Sequence, residues 1–175
     1  MRRSRAAQAR DGPLAARRAA DLFPLERMGA FAVVGGYHPV GAELDPRPLM
    51  DRFAAAGAAL ALPAAVDAHA PLVFRLAGDP AGFVPDALGI LAPPTSAEAV
   101  TPDLIIAPVL AFDRRGGRLG QGAGCYDRTL ELLRQAGLVL VIGLAYAGQE
   151  IDEVPTEPHD QCLDAILTEN GYIEV

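Results

Sequence analysis

Residues 103–128, DLIIAPVLAFDRRGGRLGQGAGCYDR, run from an apolar segment through a basic, glycine-rich loop into Tyr126-Asp127-Arg128. Positions 103–112 are apolar on both faces, the pattern of a central strand covered by helices. Downstream, Tyr126, Leu130 and Leu133 share one side of a helix that Gly137 ends. A strand end, a loop of bare backbone N–H groups and a helix N-terminus together make an anion cradle. Arg114, Arg115 and Arg118 add positive charge, so phosphate chemistry is the first function to consider.

The same alternation extends outward in both directions. Residues 28–37 (MGAFAVVGGY) predict a buried strand, followed by a loop over 38–44. Asp45-Pro46 reads as an N-cap and first helical residue, and Leu49, Phe53 and Ala56 line one face of a helix that stops at Gly57. Residues 58–62 predict a short strand ended by Pro63, and 71–77 another. The segment 80–94, with prolines at 80, 85, 93 and 94, is a structured loop or strand edge. Residues 138–146 and 163–168 are further apolar strands, and 1–23 are helical with a break at Gly12-Pro13. Strands alternating with helices give an α/β class, a three-layer sandwich around a mostly parallel sheet.

A chain of 175 residues without repeats or a polar linker is read as one domain, 1–175. Its net charge of −7 argues against a nucleic-acid-binding surface, although all fifteen basic residues are arginine. No run approaches the roughly 18 apolar residues of a membrane span. The two cysteines, Cys125 and Cys162, make no disulfide framework and read as reduced thiols of a cytoplasmic protein. A monomer is expected.

Within the loop, Arg118-Leu119-Gly120-Gln121-Gly122-Ala123-Gly124 is no Walker A sequence, because no Gly-Lys-Ser/Thr follows. Its glycines let the backbone approach a ligand, and Arg118 offers a bidentate fork to phosphate oxygens. Asp127 falls in the first helical turn, where the helix dipole alone favours a carboxylate. Asp160, in His159-Asp160, is its candidate partner for Mg²⁺, which takes one or two carboxylates plus phosphate oxygens and waters. Glu43 lies in a loop after a core strand, where α/β proteins keep ligand sites, or it is a solvated surface charge.

These residues resemble the 5-formyltetrahydrofolate cyclo-ligase family, whose central signature has Phe-Asp, a glycine turn and Arg-Leu-Gly-x-Gly-x-Gly-Tyr-Tyr-Asp. The similarity continues through Gly143-Leu144-Ala145-Tyr146, Gln149, Pro155, His159-Asp160 and Leu163-Asp164, and upstream through Tyr37, Glu43 and Leu62-Pro63. The resemblance implies ATP- and Mg²⁺-dependent closure of 5-formyltetrahydrofolate to 5,10-methenyltetrahydrofolate, with ADP and phosphate released. It also implies a fold similar to the sugar-phosphate isomerase and CoA-transferase group. By that resemblance Arg3 and the loop Arg118, Leu119, Gly120, Gln121, Gly122, Ala123, Gly124, Cys125 and Tyr126 bind the nucleotide. His38, Glu43 and Tyr126 contact the folate, Asp127 and Asp160 hold Mg²⁺, and Arg118 and Tyr126 are the catalytic pair.

Three positions depart from the family pattern. Its N-terminal Lys-x-x-x-Arg element aligns with Arg3, so the lysine would fall before Met1. Cys125 stands where a first tyrosine is usual, and Ala123 where glycine or a basic residue is common; alanine suits that turn only if its φ is negative. Two other readings stay open on these grounds: a divergent family member with another ATP-dependent activity, and a non-catalytic folate- or nucleotide-binding protein.

Overall fold

A computed structural model of the chain describes residues 11–175; Arg3, with the rest of residues 1–10, lies outside the described residues. The first half contains helices α1 (Gly12–Leu22) and α2 (Leu25–Met28), strand β1 (Val33–Gly35), helix α3 (Arg47–Ala55), and strands β2 (Ala59–Ala65), β3 (Leu72–Leu76), β4 (Val84–Pro85) and β5 (Leu91–Ala92). The second half contains β6 (Leu104–Pro108), β7 (Ala111–Phe112), β8 (Arg118–Leu119), helix α4 (Cys125–Ala136), β9 (Leu140–Leu144), β10 (Ala165–Thr168) and β11 (Gly171–Glu174). Seven strands form one sheet in the order β11-β10-β9-β6-β1-β2-β3. β10, β9, β6, β1 and β2 are parallel, and the edge strands β11 and β3 run antiparallel to their neighbours.

Side-chain alternation divides the central strands between two cores. Leu104, Ile106, Ile142, Leu144, Ala165 and Leu167 face α1 and α3, packing on Ala16, Ala19, Phe23, Leu49 and Phe53. Ile105, Ala107, Val141 and Ile166 face the other way, toward Leu130 on α4. The result is the expected helix–sheet–helix sandwich, with central strands buried on both faces. Small alanines on α1 let it lie close to α3, and Phe53 fills the gap, meeting Phe23 at 5.3 Å and Phe31 at 5.7 Å between ring centroids. Among the described residues no helix is long and apolar enough to cross a membrane.

The sheet order contains a reversal. After β1 the chain builds outward through β2 and β3, then returns to the opposite side of β1 as β6 and builds away through β9 and β10. β1 and β6 are paired directly, Val34 opposite Leu104 and Gly35 opposite Ile105. Where parallel neighbours send their following chains in opposite directions, a crevice opens beyond their carboxyl ends. The loops after β1 and β6 flank that crevice.

Several elements differ from the sequence reading. β1 spans only Val33–Gly35 of the expected 28–37, and Met28 instead ends a short helix, Leu25–Met28, that the sequence reading did not include. Pro46, not Asp45, is the N-cap residue of α3; the Asp45 carboxylate accepts from the Arg47 N–H two residues on. Met50, not Ala56, completes that helix's buried face. β2 runs straight through Pro63. Backbone polar groups of alternate residues point the same way: the Ala61 carbonyl accepts the Gly36 N–H and the Ala65 N–H donates to Asp86, both away from β3. The missing N–H of Pro63 therefore leaves the β2–β3 ladder intact. Finally, the central strand ends at Pro108, and Ala111–Phe112 turns off into a separate hairpin with Arg118–Leu119.

Candidate active site

Between the segment read as one long strand and the glycine loop, the β7–β8 hairpin intervenes, and a buried carboxylate shapes its turn. Asp113 is 3% exposed. Its Oδ1 accepts the N–H groups of Arg115 (2.9 Å) and Gly117 (3.0 Å), and its Oδ2 accepts that of Val154 (2.8 Å). Burial by itself would raise this carboxyl; the three N–H donors, with the Arg115 guanidinium, outweigh it and hold the pKa below its usual value. The clamp fixes the end of β8, from which Arg118 projects.

Arg118 is the only one of the three loop arginines that lines the crevice. Arg114 and Arg115 turn outward, 69% and 65% exposed, to pair with Glu150 and Glu153. That corrects the expectation of a triply basic loop. The Arg118 side chain is 4% exposed, its Nη2 lies 2.9 Å from Asp127 Oδ1, and its guanidinium stands 5.5 Å above the centre of the Tyr126 ring. Its Nε is buried with no partner among the described residues. A guanidinium N–H buried without a partner is costly, and the residue that carries it lines the cavity.

The glycine loop follows. Gly122 (φ +97°) and Gly124 (φ +64°) occupy left-handed backbone, which a side chain would strain. No residue other than glycine has positive φ among the described residues, so Ala123 sits between them without conformational cost. Gly124 caps α4, which begins at Cys125, one residue before the sequence reading placed it. Cys125 is buried and lies 3.5 Å from the Ala68 carbonyl, with Arg128 Nη2 3.7 Å from its sulfur. Thr129, one turn on, donates to the Cys125 carbonyl (2.6 Å) and accepts the Leu72 N–H (2.8 Å), tying the helix start to β3.

Helix α4 also carries the loop that bears Asp160. Its first turn supplies Asp127, whose Oδ1 accepts the Gln161 N–H at 3.2 Å. Its last turn supplies Arg134, which binds Gln161, the Cys162 carbonyl and Asp164. Asp160 is thereby brought beside Asp127, with its Oδ2 on the Glu157 N–H (2.7 Å) and its Oδ1 3.9 Å from His159. Across the crevice, Glu43 takes the Val40 N–H on Oε2 (2.9 Å) and the Gln121 amide on Oε1 (2.9 Å). Tyr126 is partly buried, and desolvation, with Glu43 and Cys125 nearby, pushes its hydroxyl pKa up against the opposing pull of Arg118. It stays a neutral donor at any ordinary pH.

Every site residue expected from the sequence and lying within the described residues lines one cavity of about 710 Å³: His38, Glu43, the loop 118–126, Asp127 and Asp160. It opens at the β1/β6 reversal, lined there by Tyr37 after β1 and by Pro108 and Val109 at the end of β6. Gln149 holds that end, donating from its amide to the Val109 (2.6 Å) and Leu110 (3.0 Å) carbonyls. Two further residues escaped the sequence reading: Asp86 in the cavity wall and Thr129, which ties α4 to β3. Asp86 accepts three N–H groups and secures the β4–β5 hairpin, whose Pro-Asp-x-x-Gly turn was a usable signal. Thr129 had none, because its partner is 57 residues away.

An α/β sandwich here carries a glycine loop, a buried arginine and two carboxylates at a strand-order reversal, a set of groups chemically suited to an anionic ligand. The 5-formyltetrahydrofolate cyclo-ligase family profile matches residues 1–169, and the chain belongs to that family. The 5-formyltetrahydrofolate cyclo-ligase of Mycolicibacterium smegmatis is 37% identical over 142 residues, 77% of this chain and 72% of that one. The 5,10-methenyltetrahydrofolate synthetase of Aquifex aeolicus superposes with a TM-score of 0.70 at 27% identity, over 90% of this chain and 79% of that one. The synthetase of Mycoplasma pneumoniae shares the fold, with a TM-score of 0.70 at 18% identity over 91% and 87% of the two chains.

Proposed function

We propose that the protein is an ATP-dependent cyclo-ligase that converts 5-formyltetrahydrofolate to 5,10-methenyltetrahydrofolate, releasing ADP and phosphate. The observation that carries this reading is the convergence of Glu43, Tyr126, Arg118, Asp127 and Asp160 on one cavity from segments more than a hundred residues apart in sequence.

A formyl oxygen on nitrogen is a poor leaving group. In the proposed reaction it attacks the γ-phosphorus of ATP and ADP departs. The N10 lone pair then adds to the formyl carbon, the C–O bond breaks toward phosphate, and the N10 proton is lost to solvent. No protein nucleophile is needed, so catalysis rests on positioning and charge stabilisation. The Arg118 guanidinium and the loop N–H groups are the donors for phosphate oxygens, and the α4 N-terminus adds about half a positive charge. Glu43 and Tyr126, with His38 beside them, face the folate; the protonated Tyr126 hydroxyl donates and the Glu43 carboxylate accepts.

Asp127 and Asp160 suit Mg²⁺. Both are oxygen donors, the two bonds that Asp127 accepts both fall on Oδ1, and Asp160 Oδ1 takes only the distant His159. Among the described residues no group of three or more His, Cys, Asp or Glu is placed to hold a metal. That fits an ion completed by phosphate oxygens and water. When bound, Mg²⁺ would neutralise charge on the triphosphate. We also read the protein as a one-domain cytoplasmic monomer, with both cysteines free thiols.

The test is direct: purified protein with Mg-ATP and 5-formyltetrahydrofolate, following the absorbance of the methenyl product. Product formation that requires both substrates is expected, and a folded protein that forms none would overturn the reading.

A further inference from the structure

The glycine loop and the loop carrying Glu43 are joined by one side-chain bond. Gln121 Nε2 donates to Glu43 Oε1 at 2.9 Å, across 78 residues of sequence. The other Glu43 oxygen accepts the Val40 N–H at 2.9 Å, and the Glu43 N–H returns to the Val40 carbonyl at 3.3 Å. The carboxylate is therefore held at both oxygens, once by its own loop and once by the opposite wall. Gln121 and Glu43 both line the cavity.

The chemistry of the pair matters. A glutamate has three rotatable side-chain bonds, and fixing it costs on the order of 1.5–2 kcal/mol unless a neighbour does so beforehand. Each of these two donors takes one lone pair of the carboxylate. A neutral amide orients the group without cancelling its charge. An arginine there would have formed an ion pair and competed with the ligand.

We propose that Gln121 is a positioning residue for the folate side of the cavity: its amide fixes the Glu43 carboxylate, so that a residue of the phosphate loop governs folate affinity. The inference rests on the proposed function, because it assigns Glu43 to the folate. It predicts an inversion of the role that position in the loop implies. Gln121 belongs by location to the nucleotide, yet its side chain acts on the other substrate.

The experiment compares wild type with Gln121→Ala in steady-state kinetics, varying each substrate in turn. The KM for 5-formyltetrahydrofolate is expected to rise roughly three- to tenfold, the effect of one charge-assisted hydrogen bond at an accessible site, with a smaller change in the KM for ATP. A rise in the ATP KM with the folate KM within about twofold of wild type would overturn the proposal. A second readout needs no turnover: amide hydrogen exchange at Val40, whose N–H is held by Glu43, becomes faster in Gln121→Ala. Unchanged Val40 exchange would also overturn it. The two failures separate cleanly. A wild type without methenyl formation overturns the proposed function, whereas a wild type that turns over with Gln121→Ala unshifted overturns the role of Gln121 alone.

Discussion

Arg118 and Asp127 are a pair with divided obligations. The ion pair at 2.9 Å keeps two otherwise costly buried charges compatible, and in the proposed reaction the Arg118 guanidinium would also serve the phosphate and Asp127 Oδ2 a metal. Asp127→Asn separates these duties. An asparagine Oδ1 still accepts from Arg118 and from the Gln161 N–H, so the fold should be kept, while the uncompensated Arg118 charge should lower the unfolding free energy by roughly 1–3 kcal/mol. Loss of the carboxylate charge at the triphosphate should lower kcat by roughly 100-fold or more. Wild-type kcat in a folded Asp127→Asn protein would contradict the metal assignment. At this scale the sequence was unusually legible. Arg118, Tyr126 and Asp127 sit in one short signature, and the Gly122-Ala123-Gly124 turn meets the backbone condition that alanine imposes. What it hid were contacts between distant segments, such as Gln121 with Glu43 and Thr129 with Leu72, which no local pattern encodes.

At the scale of elements, two anchors hold the loop. The first is the Asp113 clamp at the β7–β8 turn. Its carboxyl is depressed when folded, so its stabilisation is complete above the unfolded value of about 3.9 and disappears as the pH falls through the folded value. Thermal midpoints of wild type should exceed those of Asp113→Asn at neutral pH and converge with them below about pH 4; a gap that stays constant on acidification would contradict the clamp. The second anchor is Thr129. Thr129→Val keeps the shape but strands the Leu72 N–H, which should cost about 1–2 kcal/mol in denaturant unfolding, and an unshifted midpoint would show that α4 is not tied to β3 in this way. Strand positions were readable because buried parallel strands are continuously apolar. Their limits were not, since Pro63 interrupts no hydrogen bond where β2 is unpaired on that side. The edge strand β11 went unread, being half-exposed and without the apolar run that marked the others.

For the whole molecule, the reversal between β1 and β6 decides where the site lies. It sets the Glu43 loop and the phosphate loop on opposite walls of one cavity, and α4 then carries the Asp160 loop to join them. The alternation of strands and helices was enough to give the class and the layers. Strand order was not readable, because it depends on which side of β1 the returning chain docks. If the two walls bind two substrates whose reactions are one event, ADP and methenyl product must form together. Both are measured in one reaction with Mg-ATP and 5-formyltetrahydrofolate. One ADP for each methenyl product is expected, with neither formed when the folate is left out; ADP released without methenyl product, or no turnover of either, would refute the coupling.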